Sequence, residues 1–269
     1  MVHGVKSVFS RFYWLATTGR WGIHGVFDDL YAGQPRSETF RNIYRDVFAE
    51  EFAEEADASG FLTMSDLKNI SRDLALHSGQ SFVDLACGRG GASLWISRAM
   101  GADVLGIDIS SVAIADAERR IASFGRQGHA RFAVGDIAAT NIPSGTFDGA
   151  MSIDALFMVP DKVGAFRETA RILKPGARFA FTTWEVDHAG RVKDYRPLLE
   201  PYGFEIEQYD ECPGWRRRQE EIHKRILAEQ ETLAKEMGAD AAKLWAGCSI
   251  AELPIIHLMR RIYVVARKR

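Results

Sequence analysis

Between residues 81 and 183 the hydrophobic positions change period again and again, from short apolar runs to helical stripes and back. The runs at 82–85, 103–107, 130–134, 147–152 and 177–183 predict strands, and the stretches 91–100, 110–124 and 161–173 predict helices. Strands that alternate with helices predict a mainly parallel α/β sheet. A helix over 195–202, a strand over 204–209 and a last strand over 261–267 bring the sheet to seven strands. Upstream, apolar spacing predicts helices over 5–17, over 37–56 with Ser37 as cap, and from 65 onward, with a glycine-punctuated aromatic loop over 18–33. Residues 216–236 predict a charged helix within an insertion much longer than a hairpin turn requires. The expected division is an N-terminal helical lid (1–64), a core (65–212), a helical insertion serving as lid or dimer contact (213–259), and a final core strand (260–269).

Composition narrows the classes without choosing among them. A chain of 269 residues that is 46% hydrophobic and 26% charged is long enough to bury a large core and reads as soluble and globular. Its net charge of −2 gives no general attraction to nucleic acid or to an anionic membrane. No apolar run approaches the ~18 residues of a spanning helix. Three cysteines without a CxxC pair argue against a disulfide framework and a structural zinc, so the expectation is a reduced, cytoplasmic protein with no metal.

Candidate chemistry concentrates at Ser81–Gly91, Ser-Phe-Val-Asp-Leu-Ala-Cys-Gly-Arg-Gly-Gly, a strand running into a glycine turn and then a helix. Such a turn lets a ligand approach main-chain N–H groups at the positive end of a helix, although it can also merely connect two elements. Asp108 ends the next strand, eighteen residues after Gly90. That is where a doubly wound sheet places a carboxylate for ribose hydroxyls, and the competing reading is an N-cap for the following helix. Asp136, just after the third strand, is either an adenine contact or a structural turn aspartate.

With these residues in place, the chain resembles the class I S-adenosylmethionine-dependent methyltransferases. Val-Asp-Leu-Ala-Cys-Gly-Arg-Gly-Gly (83–91) is similar to their first motif, and Leu-Gly-Ile-Asp-Ile-Ser (105–110) to their ribose-binding strand end. Gly-Asp-Ile (135–137) resembles their adenine-flanking turn, Phe-Asp-Gly-Ala-Met-Ser (147–152) their fourth strand, and Leu-Lys-Pro-Gly-Ala-Arg-Phe-Ala-Phe (173–181) the turn into the fifth. The resemblance covers about 67–199 and the final strand. It implies a Rossmann-like doubly wound fold, S-adenosyl-L-methionine as cofactor, and Asp84, Ala86, Gly88, Gly90, Asp108, Ile109, Asp136, Ile137 and Ser152 around it. Ala86 departs from the family, which commonly has its first glycine there. Many small-molecule members carry an aromatic segment near the N-terminus that folds over the cofactor, which implies roles for Trp21 and Tyr31 and makes His24 a candidate base.

The expected reaction is in-line methyl transfer to oxygen, nitrogen or carbon of a small, hydrophobic or natural-product acceptor. Orientation and exclusion of water would supply most of the acceleration, with a base needed only for acceptors that must lose a proton. Asp154, at the end of the fourth strand, is the first candidate base, followed by Glu185, His24 and His188. In related enzymes the loop after the fourth strand often carries a histidine pair, but here Phe157 and Met158 occupy those places; with Trp184 they would line the acceptor pocket. Trp184, Glu185 and His188 are placed in a loop leaving the fifth strand. The alternatives are a cofactor-binding enzyme that catalyses cyclisation, or a non-catalytic partner subunit, since fold does not settle chemistry. A homodimer or higher homo-oligomer is an expected assembly.

Overall fold

The computed structural model describes residues 22–57 and 60–269. These divide into two compact units, one of 53–57, 60–213 and 259–269, the other of 22–52 and 214–258.

In the larger unit, helix α3 (Met64–Leu74) precedes strand β1 (Ser81–Leu85), α4 (Gly91–Met100), β2 (Asp103–Asp108), α5 (Ser111–Arg120), β3 (Ala130–Val134) and β4 (Phe147–Ile153). There follow α6 (Lys162–Ile172), β5 (Leu173–Val186), the short α7 (Arg196–Leu199), β6 (Phe204–Glu211) and, after the chain has visited the other unit, β7 (Met259–Lys268). The sheet has seven strands in the order β3-β2-β1-β4-β5-β7-β6. Pairing is parallel from β3 through β5, and β7 runs antiparallel between β5 and β6. The strand order reverses between β1 and β4, and ligands of open α/β sheets bind at the carboxyl ends beside such a switch point. One face is sealed by a fully buried cluster in which Phe166 of α6 packs on Phe179 and Phe181 of β5 and on Tyr195.

The fifth strand is longer than its apolar run predicts. Its antiparallel ladder with β7 continues to Val186↔Met259, so Trp184 and Glu185 are strand residues and not part of an emerging loop. The strand period then puts them on opposite faces. Helix α3 begins on a Thr63 cap, with Asp66 completing a capping box.

The smaller unit comprises α1 (Gly22–Gly33), α2 (Glu38–Phe48), α8 (Trp215–Ala228), α9 (Gln230–Met237) and α10 (Ala239–Glu252). Part of the expected aromatic loop over 18–33 is therefore helical: Val26, Phe27, Leu30 and Tyr31 recur at helical spacing, and that period outweighs the glycines. The rest of it, with Trp21 and the helix expected over 5–17, lies outside the described residues. Helix α2 stops at Phe48, where Ala49 turns to φ 49° and a 3-10 turn replaces the helix expected to reach 56. The charged helix expected over 216–236 is broken at Glu229. Phe40, Tyr44 and Phe48 of α2 form an aromatic core with Trp245 of α10. Glu236 of α9 accepts hydrogen bonds from the Ser37 and Thr39 hydroxyls at the start of α2.

Candidate cofactor and acceptor site

The glycine turn forms because its neighbours leave room for nothing larger. Gly90, at φ 71°, caps α4 without a side chain, and a Cβ there would lie 2.7 Å from both Ala117 and Phe132. At Gly91 a Cβ would stand 1.6 Å from the carbonyl oxygen of Ala56, so the backbone of 53–57 passes directly against the start of α4. Ala86 occupies the left-handed region at φ 64°. The residue that departs from the family pattern therefore holds a conformation an L side chain resists.

Two buried carboxylates face this turn. Asp108 accepts from the Gly88 amide at 2.8 Å and from the Ser110 amide at 2.9 Å. Ser110, not Asp108, caps α5, its hydroxyl accepting from the Ala113 amide, which removes the N-cap reading of Asp108. Asp84 is 2% exposed and bonded through Oδ2 to the Ser93 hydroxyl, while its Oδ1 is buried with no hydrogen-bond partner. Burial, reinforced by the charge of Asp108, pushes the Asp84 carboxyl up to about 7 despite the Ser93 bond. A buried carboxyl oxygen without a hydrogen-bond partner suits a donor or a cationic group. S-adenosylmethionine, with its α-amino group and sulfonium, fits it.

The other expected cofactor residues are placed differently from one another. Ile109 is partly exposed after β2 and Ile137 is buried after β3. Asp136 is exposed, and its Oδ1 accepts from the Ala138 amide at 2.8 Å, which is the local turn bond of the rival reading. Ser152 is fully buried, and its hydroxyl donates to the Leu85 carbonyl at 2.8 Å, so this side chain ties β4 to β1. Tyr31 stacks on Phe27 within α1 of the smaller unit, and His24 lies exposed on the same helix.

The acceptor-side residues differ most from expectation. Asp154, at φ 51°, is not an open carboxylate. Arg261 of β7 donates to both its oxygens, Nε to Oδ1 at 2.9 Å and Nη2 to Oδ2 at 3.0 Å, and the Phe61 amide donates to Oδ2 at 3.2 Å. The pattern of apolar runs could not announce this pair, whose members are 107 residues apart. Arg261 is the functional candidate that sequence reasoning missed; its one signal is a charged residue in a strand otherwise buried from Ile262 to Ala266.

Glu185 is 3% exposed and lies on the face of β5 away from Trp184, where the Tyr209 hydroxyl donates to Oε1 and Arg260 pairs with Oε2 at 3.1 Å. Burial raises its pKa. Trp184 is buried edge-on against Phe61, with ring centroids 5.5 Å apart. Phe157 and Met158 are partly exposed in the turn after β4, and His188 follows β5 with Nδ1 3.2 Å from the Ala189 carbonyl.

Outside this site, the smaller unit aligns Ser249, His223 and Glu252, with His223 Nδ1 2.9 Å from the serine oxygen and Nε2 3.0 Å from the carboxylate. The serine is fully buried and donates its proton to the Trp245 carbonyl, so it is a helix-packing group and not a nucleophile. Among the described residues no three His, Cys, Asp or Glu side chains gather to hold a metal, and no helix is long and apolar enough to cross a membrane.

Comparison with known proteins agrees with this geometry. A family profile described as "Methyltransferase domain" matches residues 82–176. A 24-methylenesterol C-methyltransferase of Oryza sativa subsp. japonica is 26% identical over 214 residues, 77% of this chain and 56% of that protein. A probable tocopherol O-methyltransferase from the same plant is 29% identical over 61% of this chain and 46% of its own length. The chain spans about half the length, or less, of the curated relatives it matches. Among solved structures, the [4+2]-cyclase SpnF superposes with a TM-score of 0.72 at 21% identity, over 92% of this chain and 96% of that one. A Haemonchus contortus phosphoethanolamine N-methyltransferase in complex with S-adenosyl-L-methionine does so with a TM-score of 0.67 at 21% identity, over 90% and 60%.

Proposed function

We propose that this chain, whose residues 82–176 match a methyltransferase-domain profile, is a class I S-adenosylmethionine-dependent methyltransferase that transfers the methyl group to a small, largely apolar acceptor. The observation that carries the reading is the pairing of the glycine turn with Asp84 and Asp108, two buried carboxylates held 2 to 4% exposed at the carboxyl ends of β1 and β2. When bound, S-adenosylmethionine supplies a methyl carbon already activated by positive sulfur. Asp108 would hold the ribose hydroxyls, Asp84 would face the cationic end, and the first-turn amides of α4 would meet the polar groups between.

The acceptor side is aromatic, with Phe61 and Trp184 at its centre. Its nearest carboxylate, Asp154, is already bonded to Arg261, and Glu185 points to the other face. The chain's own residues then serve chiefly to orient the acceptor and exclude water, which suits carbon, amine or pre-ionised oxygen nucleophiles. For an acceptor that must lose a proton, His188 is the candidate base that remains in this unit.

Calorimetric titration with S-adenosylmethionine and S-adenosylhomocysteine tests the first half of the reading. A screen of phenols, amines and isoprenoid alkenes for products heavier by one methylene tests the second. The likeness to SpnF over nearly its whole chain supports a second reading, cyclisation on the same fold, and a product of unchanged mass would identify it. Absence of binding by both nucleosides would refute the first reading.

A further inference from the structure

Arg261 sits in a position that packing alone does not require. It lies on β7 directly opposite Trp184 of β5, and the two share one face of the sheet. It is 1% exposed, the largest of the fully buried side chains, and all of its described partners are polar. Two nitrogens grip Asp154, and Nη1 donates at 2.9 Å to Oδ2 of Asp66, the oxygen that also accepts the Thr63 amide in the capping box of α3. Asp154 in turn receives the Phe61 amide, and the Phe61 ring stands at 86° to Trp184. The guanidinium therefore links three places: the left-handed turn that ends β4, the segment 60–63, and the start of α3.

We propose that Arg261 is a positioning residue for methyl transfer, acting through Asp154 to hold the Phe61–Trp184 wall and the β4 elbow in register, so that Asp154 is an anchor and not the proton acceptor. This inference rests on the methyl-transfer reading above.

The physical reason lies in the elbow. A non-glycine residue at φ 51° persists only where its surroundings over-determine it. Here a bidentate, charge-assisted pair does so, helped by the Asp154 amide, whose N–H donates to both the carbonyl and the hydroxyl oxygen of Thr182. A carboxylate with both oxygens engaged by one guanidinium is poorly placed to take a proton, and moving it would leave Arg261 buried without its main partner.

The two roles predict opposite orders of damage. If Asp154 is an anchor, Asp154→Asn keeps the shape and one acceptor oxygen but turns an amide N–H group toward the guanidinium, so it loses part of its turnover, less than Arg261→Gln loses, with no change in the pH dependence of kcat. Arg261→Gln, which strands two carboxylates, then loses roughly tenfold or more in kcat, as misplacement near the reacting atoms does. The Kd for S-adenosylhomocysteine stays within about threefold in both, because the cofactor turn is not touched; one threefold step is less than a single hydrogen bond. The double variant Asp154→Asn/Arg261→Gln regains stability over Arg261→Gln alone, the mark of a direct pair. Arg261→Lys, which keeps the charge without the fork, falls between.

The experiment measures all five proteins by calorimetry with S-adenosylhomocysteine, by thermal melting, by amide exchange of 60–66 against 86–91, and by turnover on the phenol, amine and alkene panel. Faster exchange confined to 60–66 in Arg261→Lys, with the turnover order above, supports the proposal. Turnover abolished by Asp154→Asn but kept by Arg261→Gln overturns it and restores Asp154 as base. So does uniform loss of exchange protection and cofactor affinity, which would make Arg261 a general stabiliser. Failure of the wild-type protein to bind S-adenosylhomocysteine removes the methyl-transfer reading, and this inference with it. Normal binding combined with the reversed order removes only the inference.

Discussion

Replacing Asp84 by asparagine tests whether the cofactor turn stores an unfavourable charge. The carboxyl is raised to about 7 from an ordinary 3.8, first by burial and then by the charge of Asp108. A difference of about three pH units at 1.36 kcal/mol each amounts to roughly 4 kcal/mol. Because the folded-state value is the higher one, the native protein binds the proton more tightly than the unfolded chain. The group's contribution is fully present below about pH 4, declines as pH rises to about 7, and is constant above that. An asparagine at this position cannot titrate but can still accept the Ser93 hydroxyl, so Asp84→Asn should become progressively more stable relative to wild type across that window. The expected gain on going from about pH 4 to about pH 8 approaches 4 kcal/mol as an upper bound, since relaxation and water entry reduce it. Carboxyls with lowered values, such as Glu168, titrate below the window and cancel in the difference. The assay is denaturant unfolding of both proteins at several pH values across this range. A difference that stays flat to within ~1 kcal/mol would falsify the placement of Asp84 as a buried, partnerless acid. The same carboxylate predicts proton release when S-adenosylhomocysteine binds near pH 6, seen as buffer-dependent heats in wild type and absent in Asp84→Asn.

Asp108→Ala should weaken S-adenosylhomocysteine binding by about 1.5 to 3 kcal/mol if its carboxylate takes the ribose hydroxyls; an unchanged calorimetric Kd would remove that assignment. Ala86→Gly relieves a left-handed alanine, worth ~1 to 2 kcal/mol, against the ~0.4 to 1 kcal/mol by which glycine favours the unfolded chain. The net expectation is a modest rise in unfolding free energy, and a clear loss would mean that the alanine methyl makes a contact the φ argument ignores. Glu168 is held down to about 2, chiefly by its bonds to Arg171 and then to Thr140. Glu168→Gln should therefore cost about 1 to 2 kcal/mol at neutral pH, with the cost shrinking as pH falls from about 4.5 toward 2, where the wild-type group itself takes up a proton. Acid unfolding curves that stay parallel in the two proteins would contradict that role.

What was legible in the chain was what depends on near neighbours. The strand, glycine turn and helix of 81–100 are announced by a change of period beside three glycines, and Asp108 by its distance from them. The alternation of strands with helices forecasts a doubly wound sheet for the same reason. Less legible was where an apolar run ends, because long-range pairing decides it. Strand β5 runs on to Val186 only because β7, whose residues lie more than 70 positions later, supplies a ladder partner for each step. That extension buries Trp184 and Glu185 and sends them to opposite faces, a sorting no local pattern could give.

Asp154 carries the same lesson into the chemistry. Read along the chain, an acid at the carboxyl end of a strand invites the role of base. Folded, the identity of its partner decides, and that partner is set by the register of the antiparallel strand formed by Met259–Lys268. Had β7 slipped by one residue so that Ile262 stood opposite Trp184, the strand period would turn Arg261 to the opposite face and leave Asp154 and Asp66 without a cation in the interior. The buried ion pair thus makes the register of β7 and the shape of the acceptor wall a single choice: a slipped strand is penalised by roughly 3 to 5 kcal/mol for the stranded charges alone. On the proposed reading, an anchored carboxylate beside the acceptor gives up a base at that place, and the chemistry then depends on nucleophiles that need little help in losing a proton.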